Sequence, residues 1–292
     1  MDRSDPSPSH QVTPQRAAAL QRVRAGAWLA AHSVIRELDA LFCRSYVAVT
    51  GEKPVLLVFG FHAVAPRKAL SRLDLIVDPA QSVSVESFDL FVTQYRDLGY
   101  EFVTPAQVSA GLPVEGRYVM ISFDDGYHNN LQVLPVLRKH GVPAVFFIST
   151  NHVADQRSFW WDALYRARSH RGVSPETIFR EQTYLKTLTH VGIHDHLFQE
   201  LGSKALTPLG DDDRPLTVAE LQAFARDPLV HLGNHTSDHA VLTNYSADGA
   251  AEQIGSAQHA LEEWTGVRPI MIAYPNGNFR NPFSRPATAR AS

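Results

Sequence analysis

The 292-residue chain has one cysteine, Cys43, which excludes an intrachain disulfide and gives no sign of an oxidising compartment. It has no run of about 18 apolar residues, so no membrane-spanning helix is predicted. Positive charge is not in excess: 27 Lys and Arg stand against 30 Asp and Glu, for a net charge of −3. That balance removes the electrostatic case for nucleic acid or an anionic membrane surface as a partner. Residues 1–14 lack the apolar stretch of a secretory leader, and a cytoplasmic location is expected. No P-loop is found, and no Rossmann glycine pattern follows the first predicted strand. What the chain has in number is histidine, fourteen in all, which favours metal or acid–base chemistry.

The hydrophobic fraction of 44% is enough for a full core. Residues 1–14, with three prolines and little to pack, are expected to be disordered. Residues 15–48 are read as an amphipathic helix and linker, because Leu20, Val23, Ala27, Ala31, Ile35, Leu38 and Leu41 recur at helical steps. The main domain is placed at 49–281, with a polar helical insertion over about 170–212 and an irregular tail at 282–292. Within it, strands are predicted at Pro54–Phe61, Glu101–Val103, Arg117–Phe123, Ala144–Ile148, Leu229–Leu232 and Pro269–Tyr274. Helices are predicted between them, with Ser84, Thr217 and Ser246 as starts and Gly99 and Gly266 as stops. Alternation of strand and helix implies an α/β fold with a parallel sheet, whose ligands bind at the C-terminal ends of the strands.

Three polar motifs fall at such ends. The first is Ser122-Phe123-Asp124-Asp125-Gly126-Tyr127, two adjacent carboxylates where an apolar strand meets a loop. Buried charge is costly unless a cation or hydrogen bonds compensate it, although Asp-Asp-Gly is also ordinary turn chemistry. Neighbouring strand residues point to opposite sides, so both carboxylates face one site only through a turn, which Gly126 is expected to supply. The second motif is His235-Thr236-Ser237-Asp238-His239. Two histidines four apart can share one ion from a single helical turn, and Asp125 completes three ligands with positions left for water. The same ligand types serve iron oxygenases, but those place a carboxylate two positions after the first histidine, where this chain has Ser237. A divalent ion, zinc first, is therefore the expected cofactor, with Asp124 free to act as general base. The third motif is Ala273-Tyr274-Pro275-Asn276-Gly277, a turn whose backbone N–H groups could stabilise an oxyanion. Tyr127, Trp160 and Tyr274 are the candidate substrate-contacting aromatics, with one of Trp160 and Trp161 assigned to the core. A competing cluster, His190, His194 and His196 with Asp195, reads as a solvated helix face.

These motifs resemble the first three motifs of the polysaccharide deacetylases, the NodB-homology proteins of carbohydrate esterase family 4. Phe61-His62-Ala63-Val64, Phe159-Trp160-Trp161-Asp162 and the Gly141–Phe147 run resemble a bacterial branch of that family, and the similarity covers residues 54–279. The resemblance implies a distorted (β/α)7-type barrel and metal-dependent hydrolysis of the acetyl group of an N-acetylated polysaccharide or glycan. It implies Asp124 as catalytic base, Asp125, His235 and His239 as metal ligands and the Asn276 N–H as oxyanion donor. Ala273 stands where many members carry an arginine. The family's last barrel units, with the Leu-x-His motif that supplies the acid, are not found, so the barrel is expected to be incomplete at its C-terminus. His62 is then the nearest replacement for the acid by topology. The helix at 15–42 is expected to pack near the opening. The alternative expectation is a catalytically weak or inactive carbohydrate- or metal-binding remnant.

Overall fold

The computed structural model describes residues 54–277. The segments 1–14, 15–48 and 282–292, and the packing of the 15–42 helix, lie outside the described residues. The main sheet has five strands, all parallel: β1 (Val55–Phe61), β4 (Glu101–Phe102), β5 (Arg117–Phe123), β6 (Ala144–Ile148) and β7 (Val230–Asn234). β1 pairs along the whole of β5, from Val55 opposite Arg117 to Phe61 opposite Phe123. The other edge of β5 is shared. β4 takes its N-terminal half at Tyr118 and Val119, and β6 takes its end at Ser122 and Phe123. β7 follows on β6, from Val230 opposite Ala144 to Asn234 opposite Ile148. Parallel strands joined by helical crossovers make this the arc of a distorted β/α barrel. Two short strands the sequence did not suggest, β2 (Ala63–Ala65) and β3 (Ser82–Ser84), form a separate parallel pair.

The predicted strand at Pro269–Tyr274 is reduced to one parallel bridge between Asn234 and Ile272. The Asn234 N–H donates to Met271 O and the Ala273 N–H donates to Asn234 O, and Ile270 is exposed. The segment is extended but meets β7 over one residue only. Among the described residues β1 lies at the edge of the sheet, and Val58 is 55% exposed.

The described α-helices run α1 (Leu70–Leu73), α2 (Val85–Asp97), α3 (Pro105–Ala110), α4 (Leu134–His140), α5 (Thr150–Asp155), α6 (Trp160–His170), α7 (Pro175–Leu185), α8 (His190–Leu201), α9 (Val218–Phe224) and α10 (Ala247–Thr265). Their ends follow local chemistry. The Ser84 hydroxyl accepts from Ser87 N–H at the start of α2, and Thr217 and Glu220 form a reciprocal capping box on α9. α10 ends at Gly266 in the left-handed conformation. The helical stretch after β5 begins as a 3-10 segment, His128–Val133, before α4, and there the side chains of Asn129 and Asn130 reach out to other parts of the chain.

Two-residue alternation on β5 sends Val119, Ile121 and Phe123 into one apolar cluster and Tyr118 and Met120 into another. Phe61, Phe123 and Phe146 share a register row at the C-terminal ends of their strands. Their rings stack at 5.3 and 5.1 Å, and Phe224 of α9 closes on Phe146 at 4.6 Å. Each such buried ring contributes roughly 1.5–3 kcal/mol. Together they make a rigid floor beneath the loops that carry the polar motifs. A further cluster of Tyr127, Phe159, Trp160, Trp161 and Leu164 with Leu185, Ile193 and Leu197 ties the insertion helices α7 and α8 to the domain.

Candidate active site

Asp124 and Asp125 follow β5, and His235 follows β7. The turn that lets both carboxylates face one pocket is made at Asp125 itself, with φ 76, and continues through Gly126 at φ 89. A Cβ on Gly126 would lie 3.1 Å from Ile148 Cδ1, on backbone that already disfavours a side chain. The histidine motif is not a helical turn. Thr236 and His239 have φ of 64 and 52, and the loop doubles back so that both rings point at Asp125. Left-handed backbone at a β-branched residue costs on the order of 1–3 kcal/mol. Thr236 is held there by its N–H to Asn234 Oδ1 at 2.8 Å and by Ala240 N–H to its own hydroxyl at 2.8 Å.

Backbone bonds tie the loops into one block. His235 N–H donates to Ile148 O at 3.1 Å, Asn151 N–H to Ser237 O at 2.8 Å and Ser149 N–H to Asp125 O at 3.3 Å. Asp238, inside the histidine motif, is the clamp. It accepts from Gln253 Nε2 at 2.8 Å, Asn151 Nδ2 at 2.9 Å and Arg157 at 3.3 Å. Its own N–H donates to Gln253 Oε1 at 3.0 Å.

The Nε2 atoms of His235 and His239 stand 3.4 and 3.3 Å from Asp125 Oδ1. One donor atom from each of the three residues lies within 4.8 Å of the others, the one such triad of His, Cys, Asp and Glu found among the described residues. Both Asp125 carboxylate oxygens are buried without a hydrogen-bond donor. Two imidazole nitrogens converging on a carboxylate that has no hydrogen-bond donor suit a divalent ion. The His235 Nδ1–H donates to Ala273 O at 3.0 Å, which turns Nε2 inward as a free lone pair. Burial works against ionised Asp125, but the neighbouring histidines outweigh it and hold its pKa below the usual carboxylate range. Burial drives His239 well below the ordinary imidazole value, which keeps its ring neutral and ready to ligate. His235 is raised, because Asp125 and Asp124 outweigh its burial.

Asp124 stands beside this triad. Burial raises its pKa; His235 opposes the shift and Asp125 adds to it. Its Oδ1 is buried without a partner. The pocket around it, of about 260 Å³, is lined by His62, Asp124, Asp125, His235, His239, Tyr274 and Asn276. These seven were all expected from the sequence. Gln81, Trp161, Gln182, Lys186 and Gly277 complete the wall. His62 is positioned by Asn130, whose Nδ2 donates to the His62 carbonyl at 2.7 Å, while Asn129 Oδ1 accepts from Val64 N–H at 2.9 Å.

Two expected sugar contacts do not reach the pocket. Tyr127 is fully buried, and its hydroxyl accepts from Trp161 Nε1 at 3.0 Å and donates to Asp162 Oδ2 at 2.6 Å. Trp160 is 4% exposed and packs into the aromatic cluster, so Trp161 is the tryptophan at the pocket. Its ring meets that of His239 at 4.4 Å. Helix phase decides this, since adjacent residues of α6 diverge by about 100°. His190, His194 and His196 do not converge on an ion and are not merely solvated. His190 hydrogen-bonds the Tyr245 hydroxyl, His194 lies against Arg157, and His196 pairs with Glu181. Gln182 and Lys186 carried no motif, and only the folding-back of the insertion brings them to the site.

Residues 111–290 match the sequence profile of the polysaccharide deacetylases. The chain belongs to this family. Among curated polysaccharide deacetylases, YxkH of Bacillus subtilis (strain 168) is 26% identical over 144 residues, 47% of this chain and 47% of that protein. The match thus spans about half the length of this relative. A solved de-N-acetylase from Aggregatibacter actinomycetemcomitans superposes with a TM-score of 0.50 at 14% identity, covering 77% of this chain and 81% of that one. The Bacillus cereus polysaccharide deacetylase BC0361 gives 0.48 at 17% identity, over 79% of this chain and 53% of that one. At 14% identity the de-N-acetylase likeness bears on the fold alone, and it agrees with the distorted β/α barrel of the deacetylases. No helix among the described residues is long and apolar enough to cross a membrane.

Proposed function

We propose that this polysaccharide deacetylase family member is a metal-dependent hydrolase that removes acetyl groups from an N-acetylated saccharide. The observation that carries the reading is the Asp125 carboxylate, buried, without hydrogen-bond donors and faced by two inward-turned histidine nitrogens. Asp125, His235 and His239 would hold a divalent ion, zinc first, with Ala273 O and Asp238 fixing the ligands. When bound, such an ion polarises the acetamide carbonyl and lowers the pKa of water at the site towards ~7.

Asp124 is the general base. Its free Oδ1 accepts a proton from the attacking water, and its raised pKa suits it to hold that proton. Water oxygen bonds to the acetyl carbon, and the negative charge that develops on the former carbonyl oxygen falls to the N–H of Asn276. The C–N bond then breaks, and the amine departs with a proton supplied by His62. The products are acetate and a free amino sugar. Tyr274, half-exposed, and Trp161, on the pocket wall, are the aromatic residues available to the sugar.

The test combines metal analysis with acetate release from N-acetylglucosamine oligomers. Native protein is expected to bind about one divalent ion per chain. His235→Ala and His239→Ala are expected to lose it. Asp124→Asn is expected to keep the metal and lose ~10²–10⁴-fold in turnover. His62→Ala is expected to slow turnover without releasing the ion. Undiminished metal in both histidine variants would overturn the ligand assignment. Metal uptake with no acetate release would leave a non-catalytic binder.

A further inference from the structure

Lys186 is the only lysine or arginine lining the pocket among the described residues, and it comes from the insertion rather than from a strand end. It follows α7 directly, and its backbone is anchored by Asn244 Nδ2 donating to its carbonyl at 2.9 Å. Its side chain is half-buried, yet its ammonium has no hydrogen-bond or ion-pair partner among the described residues. Asp78 is the carboxylate whose charge acts on it most. Asp78 is already engaged, however: Oδ2 accepts from Gln182 Nε2 at 3.1 Å and Oδ1 from Ala80 N–H at 3.0 Å. A partly desolvated cation without a contact partner costs stability, and such a residue in a ligand pocket is a candidate for recognition.

The charges of the pocket point the same way. A divalent ion on the triad would match the charges of Asp124 and Asp125, and Lys186 would remain as the fixed cation of the pocket lining, with Asp78, which is not part of that lining, as the carboxylate that acts on it. Lys186 reaches the pocket from the insertion, whereas Asp124, Asp125 and His235 reach it from strand ends. Gln81 and Gln182 stand on the same wall and add neutral polar groups.

Building on the deacetylase reading, we propose that Lys186, with Gln81 and Gln182, forms a subsite for an anionic substituent of the saccharide, a carboxylate or a phosphate close to the acetamido group. A neutral glycan offers the ammonium only neutral oxygen acceptors, whereas an acidic one offers a charge-assisted hydrogen bond.

The test is a calorimetric titration of metal-loaded protein with three N-acetylated disaccharides. One carries a carboxylate ether next to the acetamido group, one a phosphate monoester, and one the methyl ester of the carboxylate. Native protein is expected to bind at least one of the anions ~10-fold more tightly than the ester, since a charge-assisted contact is worth roughly 1.4 kcal/mol. Raising the salt should narrow that gap. Lys186→Met should abolish the preference while leaving ester binding unchanged, and Lys186→Arg should retain part of it. The anion that is preferred separates carboxylate from phosphate. Equal affinity of the native protein for all three ligands would overturn the proposal, as would a Lys186→Met loss shared by the ester. Acetate release is read on the same ligands. Its absence beside an intact anion preference would overturn the deacetylase reading and keep the subsite.

Discussion

Replacing Tyr127 by phenylalanine separates a packing role from a ligand-contacting one. The Tyr127 side chain is fully buried, and its hydroxyl is the middle of a chain from Trp161 Nε1 to Asp162 Oδ2, at 3.0 and 2.6 Å. Removing one oxygen orphans a buried donor and a buried acceptor, each at roughly 1–3 kcal/mol. Asp162 keeps the Asp78 N–H at 3.0 Å, which limits the cost on its side, so the expected loss is about 3 kcal/mol. For a urea slope of about 2 kcal/mol/M, the unfolding midpoint should fall by about 1.5 M.

The deficit should depend on pH. Burial pushes the Asp162 pKa up from 3.8 to about 8, with the Tyr127 and Asp78 donors opposing. Between those values the folded chain holds a proton that the unfolded chain has released. Stability from this group is therefore full below about pH 4 and is lost as pH rises through about 8. Without the tyrosine donor the folded pKa rises further, so the variant's deficit should be larger at pH 9 than at pH 6. Metal content should be unchanged. An unaltered midpoint together with a raised KM for saccharide would refute the reasoning and place the phenol against the ligand.

Two further outcomes follow from the same geometry. Asp238→Ala removes the clamp on the histidine loop and should weaken metal binding by ~10–100-fold, read by competition with a chelator, although the residue is not itself a ligand. Asp213 is fully buried and accepts from Arg166 at 2.9 Å and from the N–H groups of Leu209 and Gly210 at 2.8 and 3.1 Å. Asp213→Ala should destabilise by about 3–5 kcal/mol in chemical denaturation, because it leaves the Arg166 charge buried. Full stability in that variant would mean that Arg166 finds water on unchanged backbone.

What the sequence determined by itself was the part of the molecule that local physics controls. Arg117–Phe123 and Ala144–Ile148 form strands with the bounds their apolar runs predict, and Ser84, Thr217, Ser246 and Gly266 punctuate helices as their side chains and backbone freedom require. The carboxylate pair and the histidine pair could be picked out because charge and imidazole at the ends of apolar strands are costly without a purpose. The tertiary structure decided everything that depends on direction. The turn took in Asp125 as well as Gly126, and the histidines met through two left-handed residues rather than a helical turn, because converging loops can impose backbone that propensity disfavours. Tyr127 and Trp160 turned inward while Trp161 reached the pocket, since the phase of α6 and its packing on the insertion set which ring is covered. Lys186 had no local pattern to mark it. Its place at the pocket comes from contacts between residues far apart in the chain, and local periodicity does not encode those.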